Sequence, residues 1–357
     1  MRNLLNDDRA ALADFFQEQG EKAYRATQVF RRLHQAAQNP PDIFADLPKP
    51  LRARLLAATT CPDLPLAADN TASDGVRKLL FALDGTASIE AVLIPAANRL
   101  TLCISSQAGC ALACRFCLTG KQGFARNLTT AEIIGQLRQA TQLLAAGQRI
   151  TNVVMMGMGE PLLNLDAVLP ALRIMTDPHG YALPPRRVTV STAGIVPAME
   201  RLSETLPTSL AVSLHAPTDS LRDKIMPINR KYPLAMLMQA CRRHIHNRPR
   251  AFITLEYVML AGVNDSITCA RELIHLVHGL RCKVNLIPFN TFPDAPFLPS
   301  PHHDVLQFRG ILIKAGIITT IRQTRGDDIL AACGQLAGEV QARTMGLWRG
   351  EAPLRRA

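Results

Sequence analysis

Beyond Cys117 the chain alternates between short apolar runs and amphipathic helical periods, and that alternation leaves few architectures open. The strand candidates are TNVVMMG (151–157), RVTVST (187–192), SLAVSLH (209–215), FITLEYVM (252–259), KVNLIPF (283–289) and GIITTIR (316–322). Apolar runs of this length suit strands covered on both faces. Helix candidates lie between them: TTAEIIGQLRQATQLLAAG, DSITCARELIHLVHGL and HHDVLQFRGILIKAG. The first opens with a capping-box pattern from Thr129 to Glu132. Six or so β/α units predict a parallel sheet, built either as an open doubly wound sheet or as a full or partial (β/α) barrel. In each of these, functional residues gather at the carboxyl ends of the strands.

The region before this core has a different character. Residues 1–60 read as helical, with RAALADFFQEQG and AYRATQVFRRLHQ carrying apolar residues at 3–4 spacing and Gly20 placed as a C-cap. A Pro-marked stretch, NPPDIFADLPKPL, follows. From about residue 74 the period becomes that of strands, in RKLLFALDG, SIEAVLIP and LTLCISSQ. The expected division is a helical accessory domain (1–65), a β-rich extension (66–100), a β/α core (101–345) and a basic tail (346–357).

No stretch approaches 18 uninterrupted apolar residues, so no membrane span is expected. The start, MRNLLNDDRAAL, lacks the design of a signal peptide. Nine unevenly scattered cysteines do not read as a disulfide framework and suit a reducing cytoplasm. The formal net charge is +11, and its distribution is uneven. Residues 1–100 hold 12 Lys/Arg against 12 Asp/Glu, whereas residues 101–357 hold 28 against 17. The surplus sits in the body that carries the cysteine motif, where a polyanionic partner would meet it. Scattered solvated lysines and arginines would give the same totals. The densest basic stretch, CRRHIHNRPR (241–250), fits either reading.

The motif itself is GCALACRFCLTG (109–120), with Cys110, Cys114 and Cys117 spaced C-x3-C-x2-C. A structural zinc wants four Cys or His ligands and would have to recruit a distant one. A ferredoxin-type carrier wants four cysteines. Three thiolates can hold a [4Fe-4S] cluster by three of its irons and leave the fourth open to a substrate or cofactor. The loop falls between the strand LTLCIS and the helix beginning near Thr129, on the functional rim of a β/α unit.

C-x3-C-x2-C at the first strand of a β/α barrel resembles the signature of the radical S-adenosylmethionine superfamily. MGMGEPLLN (156–164) then looks like its glycine-rich segment, where glycines let backbone groups approach a ligand. In order along the chain, LCISSQAGCALACRFC, RRVTVSTAG, AVSLHAP, NRKYP, KVNLIPFN and TRGDDILAACGQLAG resemble the RlmN family of dual-specificity RNA methyltransferases. The resemblance runs from about residue 75 to 345, and more loosely through the N-terminus. Its departures are the loop DPHGYALPPRRV and the variant CLTGKQGF, neither of which replaces a catalytic type.

That resemblance implies a radical S-adenosylmethionine partial (β/α) barrel with a small N-terminal helical domain and a short β extension. It implies a [4Fe-4S] cluster on Cys110, Cys114 and Cys117, and S-adenosylmethionine, two molecules per turnover. The cofactor contacts it assigns are Gly159, Glu160, Ser191, Ser213, Leu214, His215 and Asn290. Cys333 matches a methyl carrier, Cys103 a resolving thiol and Glu90 a proton acceptor. Adenine C2 lacks a usable lone pair, so it cannot attack a sulfonium methyl group, and a radical route through a methylated cysteine answers that difficulty. The implied partners are 23S rRNA, tRNA and an electron donor such as flavodoxin or ferredoxin, with the chain a monomer. Two rivals stay open: a relative that methylates C8 of adenosine, and a non-catalytic assembly factor with a structural cluster. Cys61, Cys241, Cys269 and Cys282 match no functional position and read as packing residues.

Overall fold

The computed structural model describes residues 1–35, 43–85, 87–246, 248 and 250–338. The expected basic tail, the end of the expected core and part of the Pro-marked stretch lie outside these residues. The strands of the central sheet are β1 (Leu66–Thr71), β2 (Arg77–Ala82), β3 (Ser88–Ala96), β4 (Arg99–Cys103) and β5 (Asn152–Met155). They continue with β6 (Val188–Thr192), β7 (Ser209–Ser213), β8 (Ile253–Met259), β9 (Cys282–Pro288) and β10 (Ile318–Ile321).

All ten belong to one sheet in which each strand lies beside the one before it in the chain. Strands β1 to β4 form an antiparallel meander, and every pairing from β4 to β10 is parallel. A doubly wound sheet reverses its strand order at a switch point, and this sheet has no reversal. Right-handed crossovers that all advance in one direction put their helices on one face, which is the plan of a barrel. Strand β10 ends the order and does not pair back onto β4, so the barrel is partial.

The helices are α1 (Arg9–Glu18), α2 (Ala23–Gln35), α3 (Lys49–Ala58), α4 (Leu118–Gln122), α5 (Thr130–Gln142) and α6 (Leu165–Thr176). After them come α7 (Val196–Thr205), α8 (Asp219–Ile225), α9 (Leu234–His246), α10 (Ile267–Leu276) and α11 (His302–Lys314). The expected capping box forms: Thr129 Oγ1 accepts from the Glu132 N–H, and the Glu132 carboxylate accepts from the Thr129 N–H. From there α5 buries Ile133, Ile134, Leu137 and Ala140 against the sheet layer. Gly20 adopts φ 77° between α1 and α2, as a helix-ending residue should.

The N-terminal helices share a continuous apolar core with the rest of the chain through Leu12, Phe16, Phe30 and Leu33. Burying each of these side chains contributes about 1.5–3 kcal/mol. Polar ties fix the register. Asn6 Oδ1 accepts from the Ala131 N–H at 2.8 Å, and Arg138 donates to the Leu33 carbonyl at 2.6 Å. Strand β1 lies within the expected β-rich extension but ahead of residue 74, where LAADNT carries no strand-forming pattern. It is an exposed edge strand held by the half-buried β2 beside it. Among the described residues no helix is long and apolar enough to cross a membrane.

Candidate active site

The three cysteines of the motif sit in a loop that leaves a short antiparallel ladder, Gln107–Gly109 with Phe124–Asn127. The Cys110 N–H donates to the Gly123 carbonyl at 2.7 Å and the Cys117 N–H to the Cys114 carbonyl at 3.1 Å. Between them Ala113 takes φ 52°, and α4 begins directly after Cys117. Gly120 packs closely in α4: a Cβ there would lie 3.0 Å from both the N and the O of Cys114, so the cysteine loop would have to give by a few tenths of an ångström.

All three thiols line one inner cavity, whose far wall is formed by the carboxyl ends of the parallel strands. Burial pushes the Cys110 thiol up to about 12 and raises Cys114 and Cys117 as well. Thiols this costly to ionise alone are suited to a cationic centre that takes them as thiolates. Among the described residues no three His, Cys, Asp or Glu side chains converge as one metal ion would need. Three thiols spread around a single cavity suit ligands to separate irons of a cluster.

The same cavity is lined by Gly159, Glu160, Ser191, Ser213, His215 and Asn290, six of the seven expected cofactor contacts. Gly159 holds φ 93°, and a Cβ on it would fall 2.4 Å from Cβ of Gln107, so only glycine fits. Glu160 is 3% exposed and accepts from the Ala193 N–H at 2.7 Å and the Leu162 N–H at 3.0 Å. Burial outweighs these bonds and lifts its carboxyl to about 7. His215 accepts from the Val258 N–H on Nδ1 at 2.9 Å, so its proton sits on Nε2. Its ring packs edge-on against Phe116, 4.5 Å between centroids. Leu214, the seventh expected contact, is wholly buried and does not line the cavity.

Arg222 explains how the strand ends hold together, and no motif had singled it out. Its guanidinium is 0% exposed and donates to the carbonyls of Leu214, Ala193 and Ser213 at 3.0, 2.7 and 3.0 Å, and to Asn229 Oδ1 at 2.9 Å. Asn229, within the quoted NRKYP segment, passes this on to Asp219 and Asp223. Burial lowers the Arg222 pKa to about 10, which still leaves it charged.

A second, outer cavity of about 380 Å³ adjoins the first, within the range of ligand pockets. Cys103, at the end of β4, and Cys333 both line it, and Cys333 lines the inner cavity too. Cys103 is buried and its thiol is pushed up to about 12, mainly by burial, whereas Cys333 is exposed. The Asn290 side-chain amide donates to the Cys333 carbonyl at 3.1 Å and accepts from Thr324 at 2.9 Å. Glu90 is placed differently. Val92 and Ile94, on the same face of β3, line the outer cavity, but Glu90 is covered by the backbone around Ala337. The Ala337 N–H donates to its carboxylate at 2.9 Å, and the Lys78 ammonium lies 3.2 Å away.

Three arginines of the basic stretch 241–250 make contacts within the protein. Arg243 pairs with Glu200, Arg242 donates to the His278 carbonyl, and Arg248 donates to the Ser203 carbonyl at 2.6 Å. Arg242, Arg243, His246 and Arg250 are nevertheless exposed, so the stretch stays open to an external polyanion. The signal that could have found Glu256 and Arg322, both lining the inner cavity, is their position inside strand-end segments rather than any motif.

Comparison with known proteins places this geometry. Residues 104–270 match the family model of the radical SAM superfamily, and residues 2–60 match that of the ribosomal RNA large subunit methyltransferase N-terminal domain. The chain is 42% identical to a radical SAM methyltransferase from Sphaerobacter thermophilus, over 94% of this chain and 99% of that one, with a TM-score of 0.87. A domain of pyruvate-formate lyase-activating enzyme from Bacteroides vulgatus is more remote, at 16% identity over 48% of this chain and 99% of that one, TM-score 0.38. Streptococcus suis SuiB bound to S-adenosylmethionine is likewise remote, at 13% identity over 64% and 52%, TM-score 0.47. The cofactors that follow from the superfamily are a [4Fe-4S] cluster and S-adenosylmethionine, and the donor set of the inner cavity fits both. Its N-terminal module and its near full-length match together show that the chain belongs to the RlmN family of radical S-adenosylmethionine methyltransferases.

Proposed function

We propose that this methyltransferase acts on carbon 2 of adenosine, in 23S rRNA at the peptidyl-transferase centre and in tRNA at the position 3′ of the anticodon. One observation carries the reading. Cys333 borders both cavities, while Cys103 borders only the outer one. A carrier must reach the cofactor on one side and the substrate on the other, and Cys333 alone of the two does so. The N-terminal match to a ribosomal RNA methyltransferase module supports an RNA substrate.

In this reading Cys110, Cys114 and Cys117 hold the cluster, and the inner-cavity residues from Gly159 to Asn290 hold S-adenosylmethionine. Bound there, the cluster supplies the electron that cleaves the cofactor reductively. Cys333 first accepts a methyl group by displacement and, once the radical that the bound cofactor would supply has removed one hydrogen from it, presents the resulting methylene radical to the base in the outer cavity. Burial keeps Cys103 a neutral thiol, so it does not compete for that methyl group. After carbon–carbon bond formation and loss of the C2 proton, Cys103 attacks the Cys333 sulfur. The S–S bond forms and the sulfur–carbon bond breaks, its electron pair passing to the methylene carbon, which takes up a proton to become the methyl group. The one surplus electron of the adduct would return to the bound cluster. Glu90 takes the C2 proton once the segment covering it shifts. The base is presented unstacked, from a loop or flipped from its helix. The enzyme works as a cytoplasmic monomer with a flavodoxin- or ferredoxin-type donor, and its division at about residues 65, 100 and 345 follows the changes of pattern in the sequence.

Nucleoside mass spectrometry of RNA from cells lacking and then regaining the gene tests this. Loss and return of 2-methyladenosine in both RNAs is the expected result. An unchanged level would overturn the reading, and 8-methyladenosine in its place would assign the other carbon.

A further inference from the structure

Arg322 directly follows β10 and lines both cavities beside Cys333. Its backbone N–H donates to the Leu286 carbonyl at 2.8 Å, which fixes the residue to the sheet. The guanidinium is sparsely engaged. Nη1 lies 3.7 Å from Met156 Sδ and 3.8 Å from Glu256 Oε2, and among the described residues Nε and Nη2 have no acceptor. Glu256 is equally incomplete: it is 3% exposed, Oε1 accepts from Asn285 Nδ2 at 3.0 Å, and Oε2 has no hydrogen-bond partner. Asn285 in turn accepts from the Thr320 hydroxyl. Buried Glu256, braced by half-buried Asn285 and exposed Thr320, therefore lies beside the guanidinium and leaves most of its five donors unused. The Cys333 sulfur, and then Glu256, hold it above its ordinary pKa, so it stays cationic. Oε2 of Glu256 is the enclosed atom left unsatisfied, and the Arg322 side chain beside it is 32% exposed, so its unspent donors are open to whatever enters the cavities.

The other arginines of the outer cavity are disposed differently. Arg325 is held by Asp74 at 2.5 Å and by the Asp74 carbonyl at 2.8 Å. Arg99 is exposed at the edge, where a phosphate would pass. Arg322 is left as the cation facing whatever enters next to Cys333.

The geometry points to Arg322 as the residue that binds the target base at N1 or N3, donating an N–H to the ring nitrogen beside C2. This rests on the reading that a carbon carried by Cys333 is joined to C2. If it is, C2 must face the Cys333 sulfur, and both atoms bonded to C2 within the ring are nitrogens that accept and carry no hydrogen in adenine. A cation beside Cys333 then meets one of them. In guanine N1 carries a hydrogen, so a contact at N1 would set donor against donor and reject it. N3 accepts in both bases, and a contact there would leave guanine to be refused by its C2 amino group, which occupies the carbon that must react. The contact also bears on the reaction. When the carbon-centred radical on the Cys333 methylene adds, its unpaired electron and one electron of the C2–N π bond make the new carbon–carbon bond. The second π electron remains in the ring, with density on the nitrogens, and a charged donor there stabilises it.

The test is a cycle on cluster-loaded enzyme in single turnover, crossing wild type, Arg322→Lys and Arg322→Gln with RNA whose target is adenosine, 1-deazaadenosine or 3-deazaadenosine. Wild type should lose roughly 10- to 100-fold on one of the two deaza RNAs, the loss expected for a hydrogen bond to a charged group. Arg322→Gln should lose a similar factor on adenosine RNA and no further factor on that deaza RNA, and Arg322→Lys should recover part of it. Because deazation changes reactivity by itself, the missing second loss is the diagnostic. Multiplying losses, or a wild type indifferent to both deaza RNAs, would overturn the contact. So would an Arg322→Gln defect matched by equal loss of Cys333 methylation, read by mass spectrometry of the protein, since the residue would then act on the thiol. A wild type that forms no 2-methyladenosine at all would instead overturn the underlying C2 reading.

Discussion

The hydroxyl of Thr119 donates to the carbonyl of Leu336 at 2.6 Å. Alongside it the Leu118 N–H donates to the Gly334 carbonyl at 2.8 Å, and Gln122 reaches the Ala337 carbonyl at 2.6 Å. The helix that opens next to Cys117 is thereby stitched to the segment that carries Cys333. An exposed thiol is thus held against the cysteine loop by buried polar bonds, although its own side chain is left accessible.

Thr119→Val keeps the shape and removes the donor, leaving a buried carbonyl unpaired. Local opening of residues 331–338 should become easier by about 1–3 kcal/mol. Amide hydrogen exchange of that segment checks it: faster exchange there, with the strands unaffected, is the expected pattern, and unchanged exchange would refute the stitching role.

Cys103→Ala and Cys333→Ala should fail in different ways. Without Cys333 no methylated protein and no RNA adduct can form. Without Cys103 the link forms and cannot be broken, so RNA should accumulate covalently joined to the protein as a nuclease-sensitive shift on a denaturing gel. Both variants should still bind the cluster. Identical behaviour, with no adduct in either, would refute the division of roles.

Arg222→Met should cost about 3–5 kcal/mol of stability, because three strand-end carbonyls and Asn229 lose their donor in a dry site. Arg222→Lys, which keeps the charge and some of the donors, should fall between it and wild type. Urea denaturation of the three proteins decides this. A loss under 1 kcal/mol in the Met variant would mean that the strand ends are held by other contacts.

Glu160 makes stability depend on pH in an unusual direction. Its carboxyl titrates at about 7 in the fold against 4.5 ordinarily, because it is buried. Between those values the folded chain keeps a proton that the unfolded chain has released. Stability should therefore rise as pH falls from 7 towards 4.5, and above pH 7 the fold carries the full cost, on the order of 3 kcal/mol. In protein stripped of cluster and cofactor, Glu160→Gln should flatten this part of the profile. Parallel denaturation profiles for the two proteins between pH 5 and 8 would refute it.

Local pattern determined a good deal of this protein. Strand and helix periods, the Thr129–Glu132 cap and the turn at Gly20 follow from each residue's immediate neighbours, and all stand where the pattern puts them. The spacing of Cys110, Cys114 and Cys117 is likewise local, since one loop carries all three.

What the tertiary structure decided is everything that depends on partners distant in sequence. The same alternating pattern fits a doubly wound sheet and a barrel, and only the packing order of whole strands separates them. Strand β1 exists because β2 lends it a ladder, not because its residues prefer one. Arg222 and Glu256 look like ordinary charged residues in a helix and a strand. Burial, and the acceptors or donors brought to them from other elements, make one the clasp of the strand ends and leave the other with an open valence. Glu90 shows the converse, a residue on the expected face that is covered by a segment arriving from the far end of the chain. Desolvation and hydrogen-bond satisfaction are set by the assembled surroundings of a group, so short-range sequence pattern carries no trace of them.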